Sequence, residues 1–120
     1  MTTILILDDD VRCLRATSRA LAARGEYVID ATTSPREALE WIRSGRRFDV
    51  ILCDLMLGET SGRDVEDAIR ACSPMQASRV IFVSGYDPCE DEGLEPRRCL
   101  PKTLPIELLR LHVDLAARAA

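Results

Sequence analysis

Four positions in the sequence carry side chains suited to the chemistry of a phosphoryl group, and each follows a short apolar run. They are the acidic triplet at 8–10, Asp54, Ser84 and Lys102. If the runs are parallel strands that lie side by side, their carboxyl ends line one edge of a sheet. Carboxylates, a hydroxyl group and an ammonium group would then meet within a few ångströms.

The crowding of carboxylates predicts a bound metal ion. Two carboxylates about 4 Å apart repel each other by about 1–4 kcal/mol, depending on the local dielectric constant. A hard divalent cation removes this repulsion, and Mg²⁺ prefers a few carboxylates, retained water molecules and a phosphate oxygen. Asp10 directly precedes a helical pattern, so we expect it to cap that helix instead of binding the metal.

Asp54 is the candidate nucleophile, because a carboxylate can attack phosphorus to give an aspartyl phosphate. The cation and Lys102 would spread the negative charge on the phosphoryl oxygens, and Ser84 would donate a hydrogen bond to one of them. Each of these residues alone has an ordinary explanation as a loop or surface residue. The prediction depends on the four residue types occurring together at four strand ends.

Short apolar runs alternate along the chain with segments of helical periodicity. The runs that predict buried strands cover residues 4–7, 27–29, 50–53 and 80–83, with a weaker run at 98–100,. The sequence Ser34-Pro35-Arg36-Glu37 predicts a helix start. Apolar residues at helical spacing predict further helices after the first and third runs, and a last helix has the apolar stripe Leu104, Leu108, Leu111 and Leu115. The segment Asp87–Pro96 contains prolines and a glycine, so any helix there is short or mobile.

Five β/α units in this order predict a single α/β domain over residues 1–120. The expected architecture is a five-stranded parallel sheet with helices on both faces. We adopt the strand order 2-1-3-4-5, because it places the first, third, fourth and fifth strands side by side and so brings the polar residues together.

Composition and charge narrow the class of protein. The net charge is −4, with 47% apolar and 30% charged residues, as in ordinary globular domains,. The lysines and arginines are scattered, so direct binding to nucleic acid is not expected.

We see no signal peptide and no apolar run near the ~20 residues of a membrane helix. The five cysteines lack the spacing of a zinc site or a disulfide framework,. We therefore expect a cytoplasmic domain.

These motifs resemble the receiver domain of bacterial response regulators, the CheY-like superfamily of two-component signalling, along the whole chain. ILILDDD is similar to the family's first strand with its acidic pair, and DVILCDLMLGETSG to the phosphoacceptor strand and loop. VIFVSG resembles the strand that carries the family's hydroxyl group, and CLPK the strand that carries its lysine. The resemblance implies a doubly wound, flavodoxin-like fold. It also implies that Asp8, Asp9, Asp54 and the backbone carbonyl of Met56 bind Mg²⁺.

The resemblance implies that Asp54 accepts a phosphoryl group from a histidine kinase or a phosphotransfer protein, in a reaction that also uses Ser84 and Lys102. The domain would catalyse only its own phosphorylation and dephosphorylation, and would then change its contacts with a downstream effector. Two alternatives stay open: an interaction module that works without phosphorylation, and a haloacid-dehalogenase-like phosphohydrolase that uses Asp8. The second would leave Asp54 without a role and lacks a further acidic pair after Lys102.

The sequence departs from the family pattern in four places. Cys99 stands where the family usually has an aromatic switch residue, Thr103 and Gly58 stand where prolines are common, and the stretch between Ser84 and Lys102 is short. We therefore expect the signal to leave through ordering of the loop at 87–96 instead of through an aromatic switch.

Overall fold

The computed structural model describes residues 1–85 and 98–119. The strands are β1 (Thr2–Leu7), β2 (Tyr27–Thr32), β3 (Val50–Asp54), β4 (Met56–Leu57), β5 (Thr60–Ser61), β6 (Val80–Ser84) and β7 (Cys99–Pro101). The helices are α1 (Val11–Ala22), α2 (Pro35–Arg43), α3 (Gly62–Cys72), α4 (Pro74–Ala77) and α5 (Ile106–Arg118). The predicted short helix within Asp87–Pro96, and the loop ordering proposed there, lie outside the described residues.

Five strands form one parallel sheet in the order β2-β1-β3-β6-β7. The predicted order 2-1-3-4-5 is confirmed, since β6 and β7 are the fourth and fifth strands of this sheet. Strands β1, β3, β6 and β7 are neighbours, so their carboxyl ends share one edge.

Two features of the fold were not predicted, a hairpin and a short helix. Strands β4 and β5 form a small antiparallel hairpin directly after β3, with Met56 paired to Ser61. Helix α4 is a single turn of four residues whose first residue is a proline and whose cap is Ser73. Both are too short to leave a periodic pattern in the sequence.

The core has one layer on each face of the sheet. Leu5 and Leu7 belong to the layer under α2 and α3, whereas Ile4 and Ile6 belong to the layer under α1 and α5. Successive side chains of a strand point to opposite faces, so both layers take residues from the same strand. This explains why β1 and β3 appear in the sequence as continuous apolar runs.

The predicted helix starts are confirmed by their capping bonds. Asp10 accepts a hydrogen bond from the backbone N–H of Arg12 at 2.9 Å, and Ser34 accepts one from that of Glu37 at 3.2 Å. Each bond satisfies a donor that the first turn of a helix leaves without a partner.

Helix α5 is present as predicted, but the leucine stripe does not form its inner face. Leu108, Leu111 and Leu115 are 45%, 51% and 54% exposed, whereas Val113 is fully buried. Arg110 is also buried, and its guanidinium donates a hydrogen bond to the carbonyl of Ala20 near the end of α1. The helix has apolar residues on more than one side, so periodicity alone did not identify the buried one.

No helix within residues 1–85 and 98–119 combines the length and the apolar character that crossing a bilayer requires. The cysteines in this part of the chain are not joined in disulfides: Cys13, Cys53, Cys72 and Cys99.

Candidate functional site

The polar residues singled out in the sequence lie at one edge of the sheet. Asp8 follows β1, Asp54 ends β3, Ser84 ends β6 and Lys102 follows β7. The Nζ atom of Lys102 lies 2.9 Å from Oδ2 of Asp54 and 3.4 Å from Oδ2 of Asp8. The predicted meeting of these strand ends is therefore observed for the two acids and the lysine.

Three carboxylates form the acidic part of the site. One oxygen from each of Asp8, Asp9 and Asp54 lies within 4.8 Å of the others. Asp8 and Asp54 are only 7% and 5% exposed, whereas Asp9 is exposed to solvent. Hard carboxylate oxygens with one open side suit Mg²⁺, which binds through a few carboxylates and keeps several water molecules. The donor set therefore fits the predicted cation.

Backbone amides orient the two buried carboxylates. The N–H of Asp10 donates to Oδ1 of Asp8 at 2.9 Å, and the N–H of Met56 donates to Oδ1 of Asp54 at 3.1 Å. In both cases Lys102 lies against the other oxygen of the carboxylate. Met56 is thereby placed at the site, although its side chain is 52% exposed.

Burial and nearby charges shift the pKa values of Asp8 and Lys102. Burial raises the pKa of Asp8 above that of an ordinary aspartate, and the carboxylate of Asp54 acts in the same direction. The Asp10 amide and the Lys102 ammonium oppose this shift without cancelling it. Burial alone would lower the pKa of Lys102, but its hydrogen bond to Asp54 and the nearby acids raise it overall. Lys102 is therefore charged at neutral pH. Its single positive charge does not compensate the three neighbouring carboxylates of the site.

Ser84 reaches the same edge through its backbone. Its carbonyl accepts a hydrogen bond from the N–H of Lys102 at 2.8 Å, which holds the ends of β6 and β7 together. The side chain is 1% exposed. The role of its hydroxyl group in phosphate chemistry stays a prediction.

Gly62 is a residue that the sequence analysis missed. It begins α3 and donates its N–H to the carbonyl of Leu55 at 2.7 Å. A β-carbon at this position would lie 2.5 Å from the backbone oxygen of Asp54, so only glycine lets α3 approach the end of β3 this closely. The available signal was a glycine at the first helical position, directly after the cap residue Ser61.

The structure shows how the chain is arranged at two of the positions that depart from the family pattern, Gly58 and Cys99. Gly58 has a φ of +64°, which proline cannot adopt, and it forms the turn of the β4–β5 hairpin next to Asp9,. Cys99 is 2% exposed and lies in the core beside Phe82 of the neighbouring strand. The position of the usual aromatic residue is therefore filled by a small buried side chain.

The fold and the site define a class of protein: a doubly wound α/β domain with three carboxylates and a lysine at the carboxyl edge of its sheet. The sequence matches the family described as response regulator receiver domain over residues 4–95. The chain belongs to this family. Lys102 lies beyond the matched segment, and its place in the site comes from the structure.

Two relatives show how the chain compares with whole proteins. The acid tolerance regulatory protein ActR of Sinorhizobium medicae (strain WSM419) is 34% identical over 84 residues, which cover 70% of this chain and 41% of that protein. A cyclic di-GMP phosphodiesterase of Thermotoga maritima is 32% identical over 123 residues, which cover 97% of this chain and 31% of that protein. The chain therefore spans less than half the length of either relative.

A solved structure confirms the fold. A response regulator receiver protein from Sinorhizobium medicae WSM419 has a TM-score of 0.80 to this chain at 23% sequence identity. The alignment covers 98% of this chain and 95% of that one. The predicted flavodoxin-like receiver architecture is thus correct over almost the whole length.

Proposed function

We propose that the chain is a phosphoacceptor domain in which Asp54 receives a phosphoryl group. The observation that carries this proposal is the pairing of Lys102 Nζ with Asp54 Oδ2 at 2.9 Å, beside two further acids. Asp54 is a buried carboxylate that contacts a lysine, and it belongs to a cluster of acids that could bind a cation. These are the groups that formation of an acyl phosphate needs.

The donor is proposed to be the phosphohistidine of a histidine kinase or of a phosphotransfer protein. A carboxylate oxygen of Asp54 forms the new bond to phosphorus while the bond to the imidazole nitrogen breaks, and the imidazole keeps the electron pair. Lys102 stabilises the negative charge on the phosphoryl group, and Ser84 donates a hydrogen bond to it. The Met56 amide keeps the carboxylate of Asp54 oriented.

Mg²⁺ would be held by Asp8, Asp9, Asp54 and the backbone carbonyl of Met56. When bound, it supplies positive charge that offsets the charge of the phosphoryl oxygens and of the acids. Asp8 and Asp54 are already oriented by backbone amides, so little rearrangement of these two side chains is needed to receive it.

The biological role follows from this chemistry. The domain, taken as one unit over 1–120, would act in the cytoplasm and would catalyse only its own phosphorylation and dephosphorylation. Its output would be a change in protein–protein contacts with a downstream effector. Family membership disfavours the phosphohydrolase alternative, and such a domain should not turn over a generic aryl phosphate.

Phosphorylation with a small donor tests the proposal directly. The wild-type chain incubated with acetyl phosphate and Mg²⁺ should give a retarded band on a Phos-tag gel, and the band should disappear with EDTA. Asp54→Asn should give no retarded band, whereas Asp67→Asn, which removes an exposed acid on α3, should behave as wild type. Retardation of Asp54→Asn would contradict the assignment. An unmodified wild-type chain would favour the phosphorylation-independent interaction module.

A further inference from the structure

The peptide group between Leu55 and Met56 joins the start of α3 to the carboxylate of Asp54. Its carbonyl accepts a hydrogen bond from the N–H of Gly62 at 2.7 Å, and its own N–H donates to Oδ1 of Asp54 at 3.1 Å. The carbonyl and the N–H of a trans peptide group lie in one rigid plane and point in opposite directions. The bond from Gly62 therefore fixes the direction in which the Met56 amide faces Asp54.

The preceding peptide group, between Asp54 and Leu55, is held by the sheet. The N–H of Leu55 donates to the carbonyl of Val83 in β6 at 2.9 Å. The peptide planes on both sides of Leu55 are thus fixed by hydrogen bonds, which leaves the backbone little freedom to turn. The orientation of the Met56 amide depends on α3 on one side and on the sheet on the other.

Gly62 can make its bond only because it lacks a side chain. A β-carbon there would lie 2.5 Å from the backbone oxygen of Asp54, 3.1 Å from Cα of Leu55 and 3.1 Å from Cδ1 of Phe82. The first two atoms belong to the backbone that the sheet holds, and Phe82 is fully buried. Helix α3 is held as well, since Val65 on its inner side is buried in the core. A larger residue therefore lengthens the bond to Leu55 or shifts the end of β3.

We propose that Gly62 is a positioning residue for phosphoryl transfer to Asp54. It acts through the Leu55–Met56 peptide group, which keeps its amide on one oxygen of the Asp54 carboxylate while Lys102 contacts the other. Two hydrogen bonds that share one peptide group also polarise it, so the bond from Gly62 strengthens the donor that Asp54 receives. The effect on phosphorylation rests on the proposed function, whereas the effect on the Met56 amide does not.

Gly62→Ala tests the proposal, with Ser61→Ala as the matched control. The control removes the hydroxyl group that accepts the N–H of Asp64 at 3.1 Å, so it weakens the start of the same helix without adding an atom near Asp54,. In the metal-free chain, the proton signal of the Met56 amide should move upfield in Gly62→Ala. Its hydrogen exchange should become roughly tenfold faster, as expected for the loss of about one net hydrogen bond. Both properties should stay close to wild type in Ser61→Ala.

The rate of phosphorylation gives the second readout. With saturating acetyl phosphate and Mg²⁺, Gly62→Ala should be modified at least roughly tenfold more slowly than the wild type, because misplacement of a reacting group slows the chemical step. Ser61→Ala should be modified at the wild-type rate, and urea unfolding establishes that both variants are folded in the assay. A wild-type rate in Gly62→Ala, or equal slowing in the two variants, would overturn the proposal.

A backbone substitution separates the hydrogen bond from the steric effect, and it decides the question even if Gly62→Ala does not fold. Glycolic acid in place of Gly62 converts the N–H into an ester oxygen and adds no β-carbon. Because Cys53 and Cys72 flank this segment, a synthetic peptide 53–71 can be ligated into the full chain at these two cysteines. The ester should change the Met56 amide signal and slow phosphorylation, and an unchanged signal would refute the role of Gly62.

The two readouts separate this proposal from the proposed function. If the wild-type chain is not phosphorylated at all, the proposed function fails. The Met56 amide of the metal-free chain then decides by itself whether Gly62 positions it.

Discussion

The charge of Asp8 can be removed with almost no change in the shape of its side chain, because asparagine keeps the oxygen that accepts the Asp10 amide. Asp8→Asn therefore isolates the electrostatics of the acidic cluster. In the metal-free protein, Asp8 is repelled by Asp9 and Asp54 and attracted by Lys102. We expect the substitution to stabilise the metal-free fold and to weaken its response to Mg²⁺.

The magnitude follows from the distances. The acid oxygens lie within 4.8 Å of one another, so at an effective dielectric constant of about 20 each acid pair repels by at least about 3.5 kcal/mol, and the attraction to Lys102 at 3.4 Å is about 5 kcal/mol,. The two repulsions together exceed the attraction by about 2 kcal/mol. Asp9 is exposed, so water screens part of its share,. Asp8→Asn should therefore raise the free energy of unfolding by about 1–2 kcal/mol.

Urea unfolding in EDTA and in saturating Mg²⁺ measures both effects. Mg²⁺ at about 100 times its dissociation constant should stabilise the wild type by about 2.7 kcal/mol, and Asp8→Asn by clearly less. Glu26→Gln, which removes an exposed acid just before β2, serves as the control and should change neither value. The reasoning is refuted if Asp8→Asn destabilises the protein in EDTA, or if Mg²⁺ leaves the wild-type midpoint unchanged.

Three further substitutions test the packing and the pH dependence. Gly62→Ala places a methyl group against the end of β3 and should cost about 1–3 kcal/mol in urea unfolding, whereas Gly85→Ala, with open space around it, should cost far less,. Gln76→Leu removes both side-chain hydrogen bonds to the backbone of Phe48, at 2.8 and 3.2 Å, and should cost about 1–3 kcal/mol,. Burial and a hydrogen bond to a carboxylate on α5 raise the pKa of Tyr27 to about 12. Its stabilising contribution is complete below about pH 10 and is lost as the pH rises towards 12, and Tyr27→Phe should remove this loss.

Each of these expectations has an outcome that contradicts it. Equal effects of alanine at positions 62 and 85 would mean that α3 can move away from β3 at little cost. A neutral Gln76→Leu would show that water replaces the lost hydrogen bonds to Phe48. A wild-type stability that is constant between pH 10 and 12 would mean that Tyr27 titrates normally in the folded protein.

The order of the elements could be predicted because it depends on local patterns. Continuous apolar runs at 4–7 and 50–53 are typical of strands that are covered on both faces, and five β/α units then restrict the topology to a few choices. The cap residues Asp10 and Ser34 were recognisable for a similar reason, since a capping bond joins residues two or three positions apart. The strand order was chosen because it united the polar residues, and the structure confirms it.

The details of the site depended on contacts between distant segments. The approach of Gly62 to Asp54 is set by how α3 packs on β3, and the sequence has only a glycine after a serine to indicate it. The prediction of the inner face of α5 was wrong for the same reason. Leucines occur on several sides of this helix, and only its packing against α1 and the sheet buries Val113.

The sequence by itself determined which residue types stand at the strand ends and hence the chemistry that they can support. Only the tertiary structure decided that Lys102 contacts Asp54 and Asp8, and that a cleft between α1 and α5 opens onto the same carboxylates. The physical reason is the separation along the chain of the residues that interact. Secondary structure and capping arise from neighbours within a few positions, whereas a salt bridge between residues 54 and 102, or a gap between two helices, exists only after the whole sheet has formed.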